Sequence, residues 1–314
     1  LIVAVEVAQL RLLREVHGVD YSKAKFAFGY SLAFTGEGPA IGTADRFFLR
    51  GMAMDGVSPL AKTIPESLFM IYQMTFAVIT VALVSGSVAD RMRFSSYVLF
   101  SIGWFTFVYI PLAHWVWGVG GWIRGLGGID FAGGMVVHMT AGFSALVLAY
   151  LIGPRKDFGH EHKPYDAGMI LLGTALLWFG WFGFNAGSAL AADGLAAQAF
   201  GTTFFSSAAA FLSWTLIDWM RKGKPSAIGA GIGAVAGLVA ITPAAGYVTF
   251  SSAIIIGLVT GLVCNFASAF VKETLKLDDT LDVVGCHGVG GVLGTFATAI
   301  FASKAVNSAG GDGV

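Results

Sequence analysis

Two histidines lie deep inside apolar runs, His138 in IDFAGGMVVHMTAGFSALVLAYLIG and His287 in LDVVGCHGVGGVLGTFATAIFA. Each is followed by small residues in the same arrangement, His138-Met-Thr-Ala-Gly142 and His287-Gly-Val-Gly-Gly291. A neutral imidazole offers one donor and one acceptor, so two rings bonded to each other can share a proton and still present a polar edge. A lone buried histidine reads best as a satisfied core residue. A pair in corresponding apolar runs reads better as the lining of a path. An ionisable group at membrane depth costs at least ~2.5 kcal/mol and faces a cavity rather than lipid. Asp130, at the start of the His138 run, is most simply a helix N-cap. Its alternative role is a buried counter-charge that steadies a cation or a proton. Trp117 follows Pro111 and His114 at the end of another apolar run. A cation resting on its ring would gain ~1–2 kcal/mol when desolvated. Phe76, Phe182 and Phe184 crowd the same spans. Trp104, Trp115, Trp122, Trp214 and Trp219 read as lipid or interface packing.

The elements that position these groups follow from composition. Of 314 residues, 56% are hydrophobic and only 12% charged, with 43 glycines against 8 prolines and a mean hydropathy of +0.74. Soluble domains carry about 25% charged residues. Abundant small residues let membrane helices approach closely. The chain therefore reads as an all-α integral membrane protein. A net charge of zero gives no reason to expect a nucleic-acid partner. Cys264 and Cys286, both in apolar spans, are too few for a disulfide framework. No basic region with a small-residue cleavage site marks a signal peptide.

Hydropathy predicts eight spans, each long enough to cross ~30 Å of hydrocarbon. They cover 67–89, 94–116, 130–153, 167–191, 194–220, 227–248, 251–271 and 283–302. Residues 24–35 form a weaker ninth, and charges at Glu6, Arg11, Arg14, Glu15, Asp20 and Lys23 break any span before it. One set of loops holds Arg91, Arg93, Arg155, Lys156, Lys163, Arg221, Lys222, Lys224, Lys272 and Lys276; the alternate set holds Arg124 and Lys304. The positive-inside rule puts the first set in the cytoplasm, the 37–66 loop outside and the chain's last residues outside. Residues 1–25 are left unassigned, 26–302 form the core, and 303–314 are an exterior segment. Gly159-His160-Glu161-His162 sits in a charged loop and reads as solvated rather than as a metal site, which needs three or four ligands. Gly229-Ala-Gly231-Ile-Gly233 and the Gly290/Gly294 pair follow no strand, so helix packing is preferred over a phosphate loop.

The two histidine spans also open alike, with Asp130-Phe-Ala-Gly133 and Asp282-Val-Val-Gly285, although the Asp-to-His offsets are eight and five. One span starts outside and the other inside. Opposite orientation of similar segments is the mark of an inverted repeat with its site near the midplane.

The strings FGYSLAF (28–34), SVADRMRFSSYVLF (87–100), YIPLAHWVWG (109–118), DFAGGMVVH (130–138), GWFGFNAGSA (180–189), GKPSAIGA (223–230) and DVVGCHGVGG (282–291) resemble the ammonium transporter (Amt/Mep/Rh) family, in order, from about residue 28 to 302. The resemblance implies a bundle of eleven helices, about nine of them recognisable here, with one pore in each subunit of a homotrimer. It implies an outer ammonium site of Trp117 and Ser188 with Phe76 and Phe184, the two phenylalanines also closing the pore below it. His138 and His287 would be the pore's twin histidines and Asp130 the family's functional carboxylate. Ammonium or ammonia would be the substrate, membrane lipids the surroundings, the cell (plasma or inner) membrane the location, and a PII-type signalling protein a cytoplasmic partner. No cofactor, metal or catalytic residue is implied. The family's first-helix text, eleventh helix and cytoplasmic tail have no match, and Tyr72 stands where many members have phenylalanine. Three rival readings stand beside this one: an ammonium sensor of the same fold joined to a signalling domain, an intramembrane metalloenzyme, and a gas or water channel of the Rh type. The second lacks a convincing third ligand. Trp117 and Ser188 argue against the third.

Overall fold

The computed structural model describes residues 28–160 and 166–314. Expectations for residues 1–25, and for Glu161, His162 and Lys163, lie outside them. The helices, in chain order, are α1 Tyr30–Phe34, α2 Glu66–Ser85, α3 over 94–117, α4 Trp122–Gly125, α5 Gly134–Ile152, α6 Ala167–Ala186, α7 Gly194–Lys222, α8 Ala227–Ile241, α9 Phe250–Ala269 and α10 Val284–Phe301. Among the described residues, seven helices are long and apolar enough to cross a membrane, and α8 is shorter. The described residues divide into two compact units, one of 28–82 with Arg93–Ile129, the other of Leu83–Met92 with 130–160 and 166–314.

In the first unit, α1 packs against α3, and the rings of Tyr30, Phe34 and Phe69 form its buried aromatic centre. A two-stranded antiparallel hairpin, β1 Val57–Ser58 and β2 Ala61–Pro65, leads into α2. Glu66, the first residue of α2, is buried and held by a forked Arg46 guanidinium at 3.0 and 3.1 Å and by the Tyr30 hydroxyl at 3.2 Å. That placement fits the helix dipole, which favours an anion in the first turn. Residues 24–35 were expected to supply a weak span; the described part forms only the short α1. His114 is fully buried and is no pore residue: its two ring nitrogens contact the carbonyls of Ala33 and Gly38 at 3.0 and 2.6 Å, fastening the outer loop.

In the second unit, four successive helices begin at a side-chain cap. Asp166 accepts from Met169 N–H, Asp193 from Ala196, Ser226 from Gly229 and Thr249 from Ser252, at 3.0, 3.0, 3.2 and 3.2 Å. Such caps satisfy donors that have no intrahelical partner. α7 lies between α8 and α9 and packs on both through small residues. A Cβ on Gly237 or on Gly257 would sit 2.6 or 2.2 Å from the Ser206 carbonyl oxygen. Hydroxyls tie the same surfaces together, Ser206 to the Gly237 carbonyl and Ser207 to that of Ala234, at 2.9 and 3.0 Å. The glycines of 229–233 and 290–294 accordingly pack helices, as Gly233 does against Trp214 and Gly294 against Ala240. Trp214 and Trp104 are buried in their units rather than lying at the lipid interface, which corrects the sequence expectation for both, whereas Trp219 and Trp122 are exposed.

The span expected at 227–248 ends as a helix at Ile241. Pro243 follows and lacks the N–H that another turn would need. The buried turn 242–248 instead meets the start of the His138 run, where Phe131 N–H donates to the Pro243 carbonyl at 3.1 Å and Gly134 lies against the Pro243 ring. Irregular backbone at membrane depth is tolerated where protein buries it.

Three of the basic loops meet at Asp278. Arg155 grips its carboxylate with a fork at 2.9 and 3.0 Å and adds its own backbone N–H at 2.9 Å. Arg91 lies 3.7 Å from the same carboxylate and donates to the carbonyls of Ser87, Gly153 and Asp278. Burial works to raise the Asp278 carboxyl, but the Arg155 hydrogen bonds and the charges of Arg91 and Arg155 outweigh it and hold the group below the usual range. The described residues of the loops 86–92, 153–160 and 275–282 therefore meet on one face.

Candidate functional site

His138 and His287 touch. Their Nδ1 atoms lie 3.1 Å apart, with ring centroids at 5.2 Å and planes inclined by 26°. Both side chains are buried, His138 at 0% and His287 at 7% exposure. Each sits in a π-helical turn at the start of its helix, Gly134–Met139 in α5 and Val284–Val289 in α10. Such wide turns are rare and concentrate at functional sites. Between the helices, small residues permit backbone contact. A Cβ on Gly142 would stand 2.1 Å from the Gly288 nitrogen. Any larger residue at 142 would push the helices apart and separate the rings.

An Nδ1-to-Nδ1 contact admits a single proton between the rings. One nitrogen donates and the other accepts, so one ring carries its remaining proton on Nε2 and the other presents an Nε2 lone pair. The Nε2 of His138 is buried without a hydrogen-bond partner. Against the other face of His138 lies Trp181, stacked at 5.3 Å and 15°, with its indole N–H donating to Thr242 Oγ1 at 3.0 Å. Thr242 in turn donates to the Leu238 carbonyl at 2.7 Å. Phe184 completes the apolar enclosure at 6.0 Å from His138 and 5.3 Å from Trp181. The sequence reading assigned Trp181 no role. Its only signal was the placement of Trp181 three residues before Phe184, close to one helical turn.

The remaining candidates separate by unit. In the first, Phe76 meets Trp117 edge to face at 5.5 Å, and Tyr72 meets Phe76 in the same manner at 5.0 Å. Trp117 is half-buried and accepts Arg124 at its carbonyl. In the second, Ser188 lies in the 3-10 turn that closes α6 and donates to the Phe184 carbonyl at 3.0 Å. Phe182 belongs to neither group and stacks on Phe200 at 3.9 Å. His160 is in an exposed turn. Among the described residues, no three His, Cys, Asp or Glu side chains are grouped to hold a metal.

Asp130 is a helix cap of unusual completeness. Its Oδ1 accepts from Gly133 and Gly134 at 2.8 and 2.7 Å, its Oδ2 from Met135 and Val136 at 2.8 and 3.1 Å. Gly133, at φ +112°, makes the left-handed turn that aims these N–H groups at one carboxylate. The residue that answers it before α10 is Asp279 rather than Asp282, which corrects the repeat alignment. Asp279 Oδ2 accepts from Val284 at 2.7 Å, while Asp282 pairs with Lys272 at 2.9 Å. With Asp279 as the counterpart, the aspartate-to-histidine offset is eight in both helices (138 − 130 and 287 − 279).

A bundle of apolar helices holding a hydrogen-bonded imidazole pair in an aromatic enclosure defines a polytopic membrane protein with a buried histidine pair. The comparisons give the family. The model named Ammonium Transporter Family matches residues 23–314, and the chain belongs to that family. It is 51% identical over 287 residues to the "Ammonium transporter" of Bacillus subtilis (strain 168), covering 91% of this chain and 70% of that protein. It is similar to the crystal structure of Saccharomyces cerevisiae Mep2, with a TM-score of 0.85 and 41% identity over 91% of this chain and 66% of that one. The chain thus spans about two thirds of the yeast protein's length. A solved structure named "Sensor Amt Protein" matches with a TM-score of 0.84 and 32% identity, covering 98% of this chain and 77% of that one.

Proposed function

We propose that this chain moves ammonium across the membrane by splitting it into a proton and ammonia. The observation that carries the reading is the buried 3.1 Å contact between His138 and His287. Trp117 offers its ring to an arriving cation, with Phe76 beside it in a T-shaped contact at 5.5 Å. Ser188 and Phe184 stand where α6 ends, Phe184 also bounding the compartment of His138. A bare cation entering that apolar compartment meets a barrier of several kcal/mol, whereas neutral ammonia does not carry that penalty. The proton takes the imidazoles. It adds to the lone-pair Nε2 of one ring, the shared Nδ1 proton passes to the partner, and the partner releases its own Nε2 proton. One proton enters and one leaves, and the tautomers exchange. Asp130 acts on this path through His138, by fixing the turn that carries it.

Uptake of labelled methylammonium into proteoliposomes tests the reading, and no uptake by correctly folded protein would refute it. The sensor of the same fold is less favoured because the higher identity is to a relative named a transporter. For Trp117→Leu we expect ammonium affinity to weaken about tenfold, the factor that ~1–2 kcal/mol implies, with less change in maximal flux. Unchanged affinity would make Trp117 an interfacial anchor. The reading extends to a homotrimer with one pathway per subunit, so an assembly with His138 and His287 on its threefold axis would contradict it. A PII-type partner would dock on the inner face, where the basic loops converge.

A further inference from the structure

The two histidine helices start with aspartates in the same register, yet the two carboxylates are used differently. At Asp130 both oxygens are occupied by backbone N–H groups, four in all. At Asp279 the Val284 N–H donates to Oδ2 at 2.7 Å and the Val283 N–H adds a weaker approach to the carboxylate, while Oδ1 is buried without a well-aligned hydrogen-bond partner, in a residue 1% exposed. A buried charged oxygen without a donor is strongly penalised. The neutral acid avoids that penalty, and its Oδ2 can still accept from Val284. The preceding residue shows that position alone does not decide this. Asp278 takes the Arg155 fork and has Arg91 at 3.7 Å and stays ionised, whereas Arg91 reaches Asp279 only as a charge and gives it no hydrogen bond.

We propose that Asp279 is a proton-exchanging carboxylate at the inner end of the His287 helix, taking a proton on Oδ1 from the inner solution and returning it there. The step balances as carboxylate plus one solvent proton giving the acid, with no other reactant. The charged and titratable groups around it are Asp282, which opposes its ionisation, Lys272 and the Arg91 guanidinium, which favour it, and the Cys286 thiol. Burial is the largest influence, and the carboxyl is pushed up to about 6. Ionisation at that place puts negative charge beside the first turn of the helix that holds His287, so the proton relay should respond to inner pH through this residue. This last step rests on the transport reading above; the proton site itself does not.

The sign of the stability effect follows from the direction of the shift. Between pH about 4 and about 6 the folded carboxyl keeps its proton while the unfolded one has lost it, so Asp279 removes stability as pH rises through that window. Asp279→Asn should therefore flatten the fall in Tm across it. The decisive measurement is pH-difference infrared spectroscopy of the full chain in lipid vesicles. A protonated-carboxyl C=O band should titrate near pH 6 and be absent from Asp279→Asn. If Asp279→Asn does not fold, Lys272→Gln should move the band's midpoint to higher pH and Asp282→Asn to lower pH. No such band, or a midpoint indifferent to Lys272 and Asp282, overturns the proton site. Methylammonium flux, measured at a constant pH difference across the membrane while inner pH is stepped from 5 to 8, should show a step near pH 6 in the wild-type chain that Asp279→Asn lacks. A titrating band with equal pH profiles would overturn the link to the relay. Loss of all flux in wild-type vesicles with the band intact would count against transport and leave the proton site standing.

Discussion

His138→Ala, and equally His287→Ala, is expected to abolish most proton-coupled methylammonium transport, with the double variant scarcely worse than the poorer single one. The rings share one hydrogen bond at 3.1 Å, and removing either leaves the other with no nitrogen to receive or supply the transferred proton. Groups that act as a unit are non-additive in this way. Independent contributions would instead multiply, and an additive double variant would show that the contact carries no proton. Replacement by aspartate or glutamate is the more specific probe. A fixed acidic group keeps the path polar but lowers the barrier to any bare cation, so these variants should pass potassium. Normal transport in the alanine variants, together with unchanged ion selectivity in the carboxylate ones, would reduce the pair to packing.

Asp130→Ala should be the most damaging single change to the fold of α5. It strands four backbone donors in a buried turn, at about 1–3 kcal/mol for each. The summed loss is comparable to the whole stability margin of an ordinary domain, ~5–15 kcal/mol. The protein should fail to accumulate in membranes, or melt about 10 °C or more below the parent. Asp130→Asn keeps one acceptor oxygen but turns an amide N–H toward the donors of Met135 and Val136, so its loss should be intermediate. Thermal melting of purified protein beside flux separates this from direct substrate chemistry. An alanine variant that melts like the parent yet does not transport would place Asp130 on the substrate's path instead of under the His138 helix.

Much of this was legible in the residues. Long apolar stretches can cross a bilayer only as helices, because every backbone group must be satisfied within the segment. The span positions therefore followed from composition, and the loop charges gave orientation. The histidines were visible as ionisable groups where such groups are expensive. Trp117, Phe76, Ser188 and Phe184 became candidates through family resemblance, with a cation–π argument to support Trp117. The sequence erred where the determining contact joins residues far apart in the chain. Hydropathy carried the 227–248 span past Ile241 because the turn after it is as apolar as the helix; only its packing beside Phe131 and Gly134 reveals that Pro243 ends it. Trp214 and Trp104 share the composition of interfacial tryptophans, and burial alone distinguishes them.

The repeat shows the division most clearly. Sequence similarity matched Asp130 to Asp282 through a shared Asp-apolar-apolar-Gly string, whereas a cap is defined by which carboxylate reaches the first-turn N–H groups, and that residue is Asp279. The residue types, spans, orientation and the presence of two intramembrane imidazoles were thus set by the sequence alone, since each depends on local hydrophobicity and charge. The register of α5 against α10, the approach of Gly142 to Gly288 and the facing of the two Nδ1 atoms were decided by tertiary packing. Those features depend on ångström-scale contacts between segments about 150 residues apart, which no local pattern encodes.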